Sequence, residues 1–307
     1  MKFLAERGAD VITSGRNMER GQKYIDGYPD SVKAHVTLLR CDLADMKSVE
    51  EFAVGVQARW DRFDGLVNNA GGAFLASDPK RTLHIGGKTY CAAFVGNHVG
   101  PFHLTNLLLP LLEANKEARI VNVSSFMHDN YAGTGAKSKQ SRINFDDIHA
   151  RNTPIKTNEQ AFSPYGQSKL ANVIHANELQ KRYASKGINA YSLHPGFIDS
   201  RFGRGFGVLM MAVLRPVMVM LKCAGGNMAP MSGYDGAQTS LHCLLSEDAK
   251  KHGGKYFSQI AMIGHSDGSI SGWPLGSANP EAKDEAIAAR LWDMSAEMVA
   301  ELKAAAK

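Results

Sequence analysis

The chain has 307 residues, 44% of them hydrophobic, with 30 glycines, 11 prolines and a formal charge of +5. That is apolar content enough for a substantial core and too little bias for disorder. The charge is mild and its Lys and Arg are dispersed, which argues against nucleic acid as a partner. No stretch reaches the apolar length of a membrane-spanning helix, since the longest, 207–221, is broken by Arg215-Pro216. Cys41, Cys91, Cys223 and Cys243 lie far apart without a C-x-x-C pair, so they read as reduced thiols in a cytoplasmic setting. The histidines show no metal-ligand spacing, and no metal is expected.

In chain order, residues 1–8 read as the end of a helix closed by a glycine. A buried strand over 9–14 meets the turn Gly15-Arg16-Asn17, then a helix over 18–28 and a strand over 35–41. Asp42-Leu43 precedes an amphipathic helix over 47–60 and a strand over 65–68, which runs into Asn69-Ala70-Gly71-Gly72. A long helix over 90–114 is expected to kink or break at Pro110. A strand over 119–123 ends in Ser124-Ser125. The polar stretch 128–160 reads as loop, with 133–142 a solvated insertion. Helix returns over 164–185, and a strand over 188–193 ends at His194-Pro195-Gly196. Beyond the apolar segment 206–222 come a helix over 234–246, a strand over 255–258 and a C-terminal helix over 281–305.

Strands alternating with crossover helices imply a doubly wound parallel α/β sheet, covered on both faces, in a single domain over 1–307. A dinucleotide-binding sheet of this kind opens with a strand and a glycine-rich turn that brings a helix N-terminus to a pyrophosphate. This sequence contains neither and starts inside the helix that would follow, so about 25–30 residues are expected to be absent. The absent strand would be central, leaving neighbours with unpaired backbone groups facing a gap. Poor cofactor binding and low stability are the expected consequences.

Tyr165 and Lys169 stand four apart at the start of a helix, which puts both side chains on one face. An ammonium beside a phenol favours the phenolate, so the tyrosine is expected to titrate below its usual value of roughly 10 and to serve as a general acid or base.

Taken together, Asn68-Asn69-Ala70-Gly71, Asn97, Val123-Ser124-Ser125, Tyr165-x-x-x-Lys169 and Pro195-Gly196 resemble the classical short-chain dehydrogenases/reductases of the Rossmann fold. The likeness covers nearly the whole chain. Tyr165-Gly166-Gln167-Ser168-Lys169-Leu170-Ala171-Asn172, Gly236-Ala237-Gln238-Thr239-Ser240, Gly254-Lys255-Tyr256-Phe257 and Ala289-Arg290-Leu291-Trp292 are similar to the retinol dehydrogenase-like and WW-domain oxidoreductase-like branch. The light-dependent protochlorophyllide reductases share part of this pattern.

The resemblance implies hydride transfer between a nicotinamide and a carbonyl or alcohol carbon. Tyr165 would be the acid/base, and Lys169 would lower its pKa and hold the nicotinamide ribose. Ser125, rather than its neighbour Ser124, would bond the reacting oxygen. Asn97 would fix a water that links Lys169 to solvent. Arg16, with no acid at the strand end before it, favours a 2′-phosphate and hence NADP(H). Asp42 and Leu43 would line the adenine, Asn69, Ala70 and Gly71 would leave room for its ribose, and Pro195, Gly196, Ile198 and Ser200 would border the carboxamide. Residues 206–232 would form a lid over an apolar substrate of retinal, steroid or lipid type, or a face touching membrane. His128 and His194 are expected near the site in supporting roles. Homo-oligomers through the helices at 90–114 and 164–185 fit the resemblance, as do two alternatives to the main reading: a reductase of carbon–carbon double bonds, and a catalytically silent scaffold.

Overall fold

A computed structural model describes residues 1–132, 139–153, 155–196, 198, 232–258, 277 and 279–306. Ser200, Cys223, the insertion core 133–138 and the expected lid over 206–231 lie outside the described residues.

The first half of the chain follows the expected alternation. A short helix α1 (Lys2–Ala5) leads to strand β1 (Val11–Gly15), helices α2 (Met18–Asp26) and α3 (Asp30–Lys33), and strand β2 (Val36–Arg40). Helix α4 (Met46–Gln57) starts where the Asp45 carboxylate accepts from the Lys47 and Ser48 amides, an N-cap worth about 1 kcal/mol. Its apolar residues Val49, Phe52, Ala53 and Val56 recur at helical spacing, and that stripe is buried against Leu104, Leu108 and Leu111.

Strand β3 (Gly65–Asn68) follows, then an antiparallel hairpin of β4 (Thr82–Ile85) and β5 (Lys88–Cys91) that the sequence reading missed. Its turn is Gly86-Gly87, both at positive φ, where glycine carries no steric penalty. The long helix therefore starts at α5 (Ala92–Phe94) and passes through a π turn (Val95–Val99) into α6 (Gly100–Glu113). Pro110 sits inside α6 without ending it, so the irregularity lies at 95–99 and not at the proline.

Strand β6 (Arg119–Val123) is buried throughout. The stretch read as loop holds a short antiparallel pair, β7 (Asn130–Ala132) and β8 (Lys139–Gln140). Helix α7 (Asn158–Tyr183) begins six residues before the expected start, because Thr157 and Gln160 close a reciprocal capping box. After β9 (Asn189–His194) come α8 (Gly233–Leu245), α9 (Glu247–Lys250), β10 (Tyr256–Ser258) and the C-terminal α10 (Glu285–Ala305).

The larger parallel sheet has the order β10-β9-β6-β3. Alternate residues of its inner strands serve opposite faces. Ile120 and Ala190 pack with Leu109, Leu112 and Leu179 of α6 and α7, whereas Val121, Val123, Tyr191 and Leu193 pack with Cys243 of α8. Helix α10 lies outside α7 and α6, burying Leu291, Met298, Val299 and Leu302. Strands β1 and β2 form a separate parallel pair. Ile12 of β1 and Leu66 of β3 pack against the same apolar cluster, yet the two strands are not paired. Among the described residues one edge of each carries no strand. Both are only partly buried, in contrast to β6. The architecture is α/β with parallel sheet, in two hydrogen-bonded pieces whose facing strands β1 and β3 are unpaired, as expected of a sheet without its central strand. No helix among the described residues is long and apolar enough to cross a membrane.

Candidate active site

The carboxyl ends of β3, β6 and β9 share one edge of the sheet, and α7 packs across β6 and β9. Ligands of open α/β sheets bind at that edge. Tyr165 and Lys169 stand one turn apart on α7, and both are buried. The Lys169 ammonium donates to the Val123 carbonyl at 2.9 Å and lies 5.7 Å from the centre of the Tyr165 ring. Burial brings it down from 10.5 to about 8, since the charged form loses water.

Tyr165 shifts against expectation. Burial pushes its phenol up to about 12, and a hydrogen bond with the Ser125 side chain offsets only part of this. Desolvation of the phenolate outweighs whatever the neighbouring ammonium contributes, so the phenol stays protonated at neutral pH.

The two serines after β6 serve different partners. Ser124 Oγ donates to the Lys169 carbonyl at 2.7 Å, and its amide donates to the Leu193 carbonyl. Ser125 Oγ accepts from the Met127 amide at 3.2 Å and pairs with Tyr165. Strand alternation accounts for the split: consecutive residues leave β6 towards opposite sides.

Asn97 belongs to the π turn, a feature that recurs at functional sites. Its amide makes three direct bonds: Oδ1 accepts from the Gly72 amide at 2.8 Å, and Nδ2 donates to the Gly72 carbonyl at 2.9 Å and to Ser168 Oγ at 3.0 Å. Asn97 thus fastens the loop after β3 to α7. A Cβ on Gly71 would stand 2.8 Å from Lys169 Nζ and 3.4 Å from Asn97 Oδ1, so a side chain there would press on the end of the lysine.

The residues expected to border a nucleotide are spread along the strand ends. Arg16 is exposed just after β1, and the adjacent Asn17 caps α2 by accepting from the Arg20 amide at 2.7 Å. Cys41 N–H donates to the Gly15 carbonyl, so Arg16 and Asp42 leave the same end of their strand pair. The Asp42 carboxylate accepts from the Ala44 amide at 3.1 Å. Leu43 presents its carbonyl so closely to α6 that a Cβ on Gly100 would fall 1.9 Å from it. Asn69, Ala70 and Gly71 are exposed, Pro195 and Ile198 are half-buried, and Gly196 has φ 95°.

His128 Nδ1 donates to the Ser125 carbonyl at 2.6 Å, and its Nε2 lies 2.8 Å from Ser277 Oγ. The His194 ring stands edge-on to Phe126, 5.3 Å between centres, and burial brings it down to about 3. A buried asparagine network escaped the sequence reading. Asn68 Nδ2 donates to Thr105 and Asn122, while Asn172 Nδ2 reaches the Val123 carbonyl that also accepts Lys169. The available signal was asparagine inside otherwise apolar strands, which demands buried partners.

A profile of the family described as short chain dehydrogenase matches residues 1–136. The chain is 34% identical over 303 residues to retinol dehydrogenase 13 of Homo sapiens, covering 96% of this chain and 78% of that protein. An uncharacterized protein from Mycobacterium paratuberculosis superposes with a TM-score of 0.66 at 27% identity, over 97% of this chain and 87% of that one. A short chain dehydrogenase from Burkholderia cenocepacia in complex with NADP shares the fold, with a TM-score of 0.62 at 20% identity over 85% of this chain and 90% of that one. Similarity of this extent puts the chain in the short-chain dehydrogenase/reductase family, as a retinol dehydrogenase-like member, and makes it an oxidoreductase.

Proposed function

We propose that the chain moves hydride between NADP(H) and the carbonyl or alcohol carbon of a small apolar substrate, with Tyr165 as the acid/base. The observation that carries this is the Tyr165–Ser125 hydroxyl pair beside a buried Lys169 that uses one of its three donors among the described residues. A phenol held near 12 keeps its proton at neutral pH and has it to give to a carbonyl oxygen. Ser125, its lone pair engaged by the Met127 amide, is oriented to donate to that same oxygen as charge develops on it.

The bound nicotinamide supplies or accepts the hydride. The residues present fit its half of the cofactor. A buried ammonium has three donors, and Lys169 uses one on Val123 among the described residues, leaving two for ribose hydroxyls. Pro195, Gly196 and Ile198 would border the carboxamide, and Asn69, Ala70 and Gly71 the adenine ribose. Asp42 and Leu43 would line the adenine. Arg16, exposed and without an acid beside it in Ser14-Gly15-Arg16-Asn17, would grip a 2′-phosphate, which favours NADP(H) over NAD(H). The Burkholderia cenocepacia structure in complex with NADP supports the same choice. The relative's name, retinol dehydrogenase 13, supports an apolar polyene alcohol or aldehyde as the substrate class.

Cofactor affinity should be weakened by the break between β1 and β3, each of which has one edge without a strand among the described residues. The same observation favours a second reading, a scaffold without catalysis. Fluorescence titration of NADPH into the chain, together with all-trans-retinal reduction by wild type and Tyr165→Phe, separates them. Saturable NADPH binding with turnover lost in the variant supports the first. A folded chain that neither binds NADPH nor reduces any carbonyl supports the second.

A further inference from the structure

Behind the candidate site a buried polar bridge connects the C-terminal helix to the Val123 carbonyl that accepts from the Lys169 ammonium. Ser295 on α10 is fully buried, and its Oγ lies 2.9 Å from His98 Nε2 and 2.7 Å from the Leu291 carbonyl one turn earlier. His98, also buried, is part of the π turn. Its Nδ1 lies 3.4 Å from Asn172 Oδ1, and Asn172 Nδ2 donates at 3.3 Å to the Val123 carbonyl that accepts Lys169. The bridge thus joins residues 197 apart in sequence.

His98 follows Asn97 directly. About 100° of helical rotation separates neighbouring side chains, so the two face different surroundings. Asn97 grips Gly72 on both its amide and its carbonyl at the front, and His98 is held by Ser295 and Asn172 at the back. A π turn closes its ring with an i→i+5 bond, here Gly100 N–H to the Val95 carbonyl, and holds one residue more than an α turn. Such a turn reverts towards regular helix unless outside contacts hold it, and reversion would rotate Asn97 away from Gly72. The cost of displacement is local, because Gly71 leaves Lys169 little clearance.

We propose that Ser295 and His98 are positioning residues: through the π turn they set the Asn97 clamp on Gly72 and so the placement of Lys169. This rests on the function proposed above for Lys169, and its principal test needs neither cofactor nor turnover. The measurement is amide hydrogen exchange at Gly72 in the full chain, for wild type, Ser295→Ala, His98→Leu, His98→Gln and Met298→Ala, with Tm recorded for each. Ser295→Ala and His98→Leu should speed Gly72 exchange at least ~10-fold. His98→Gln, which keeps an amide near the Nε2 position, should restore most of the protection. Met298→Ala removes an apolar contact from the same helix and lowers Tm, but should leave Gly72 exchange at the wild-type rate.

A cycle with Asn97→Ala completes the test. In that background Ser295→Ala should change Gly72 exchange no further, because the clamp it acts through is gone. Three results would overturn the proposal: wild-type exchange in Ser295→Ala, equal acceleration in Met298→Ala, or an undiminished Ser295→Ala effect in the Asn97→Ala chain. If no form of the protein reduces a carbonyl, the functional reading fails while the exchange data still decide the role of Ser295 and His98.

Discussion

The Lys169 ammonium donates to the carbonyl of Val123 at 2.9 Å, and this is the one hydrogen bond its side chain makes among the described residues. An ammonium so buried is a stability cost that pH relieves. Its folded-state value of about 8 lies below the unfolded 10.5, so between these the unfolded chain binds more protons and stability rises with pH. Relative to Lys169→Met, wild type should gain on the order of 3 kcal/mol as pH climbs from about 8 to about 10.5. Below pH 8 the difference should be flat. Urea unfolding of both proteins across this range measures it.

Tyr165→Phe removes the proton donor and the bond to Ser125 but keeps the ring. Turnover should fall by roughly 10²–10⁴-fold while NADPH binding is unchanged, with stability lower by about 1 kcal/mol. Turnover within twofold of wild type would remove the acid/base assignment.

The adjacent serines should separate cleanly. Ser125→Ala takes a donor from the reacting oxygen and should cut kcat by about 10²-fold with little change in Tm. Ser124→Ala leaves the Lys169 carbonyl without its hydroxyl partner and should cost about 1 kcal/mol of stability, with the smaller effect on kcat. Steady-state kinetics and thermal unfolding of the pair test this.

Arg16→Glu places a carboxylate where the 2′-phosphate is proposed to bind. NADPH affinity should drop at least ~10-fold, with NADH affinity unchanged or improved. Parallel fluorescence titrations with the two nucleotides decide whether Arg16 reads the phosphate.

Gly100→Ala would drive a Cβ into the Leu43 carbonyl, 1.9 Å away, where backbone on both sides leaves no flexible group to yield. The expected loss is about 1–3 kcal/mol, read as a lowered urea midpoint, together with weaker nucleotide binding through displacement of Leu43.

How far the sequence reached depends on the range of the interactions involved. Helix α4 was legible because its cap and apolar stripe lie within about a dozen residues. The early start of α7 is also local, but it is written in the spacing of Thr157 and Gln160 rather than in the more prominent Pro164. The hairpin of β4 and β5 was lost to the helical pattern that follows it, since four-residue strands carry too little periodicity to compete.

Sequence alone determined the alternation of strands and helices, the Tyr165–Lys169 spacing and the family, because periodicity and motif order are properties of the chain itself. Tertiary structure decided that Tyr165 titrates high, that Asn97 clamps Gly72, and that α10 reaches His98. Those outcomes depend on solvent exclusion and on partners brought together by folding, sometimes from opposite ends of the chain, and no local pattern encodes them.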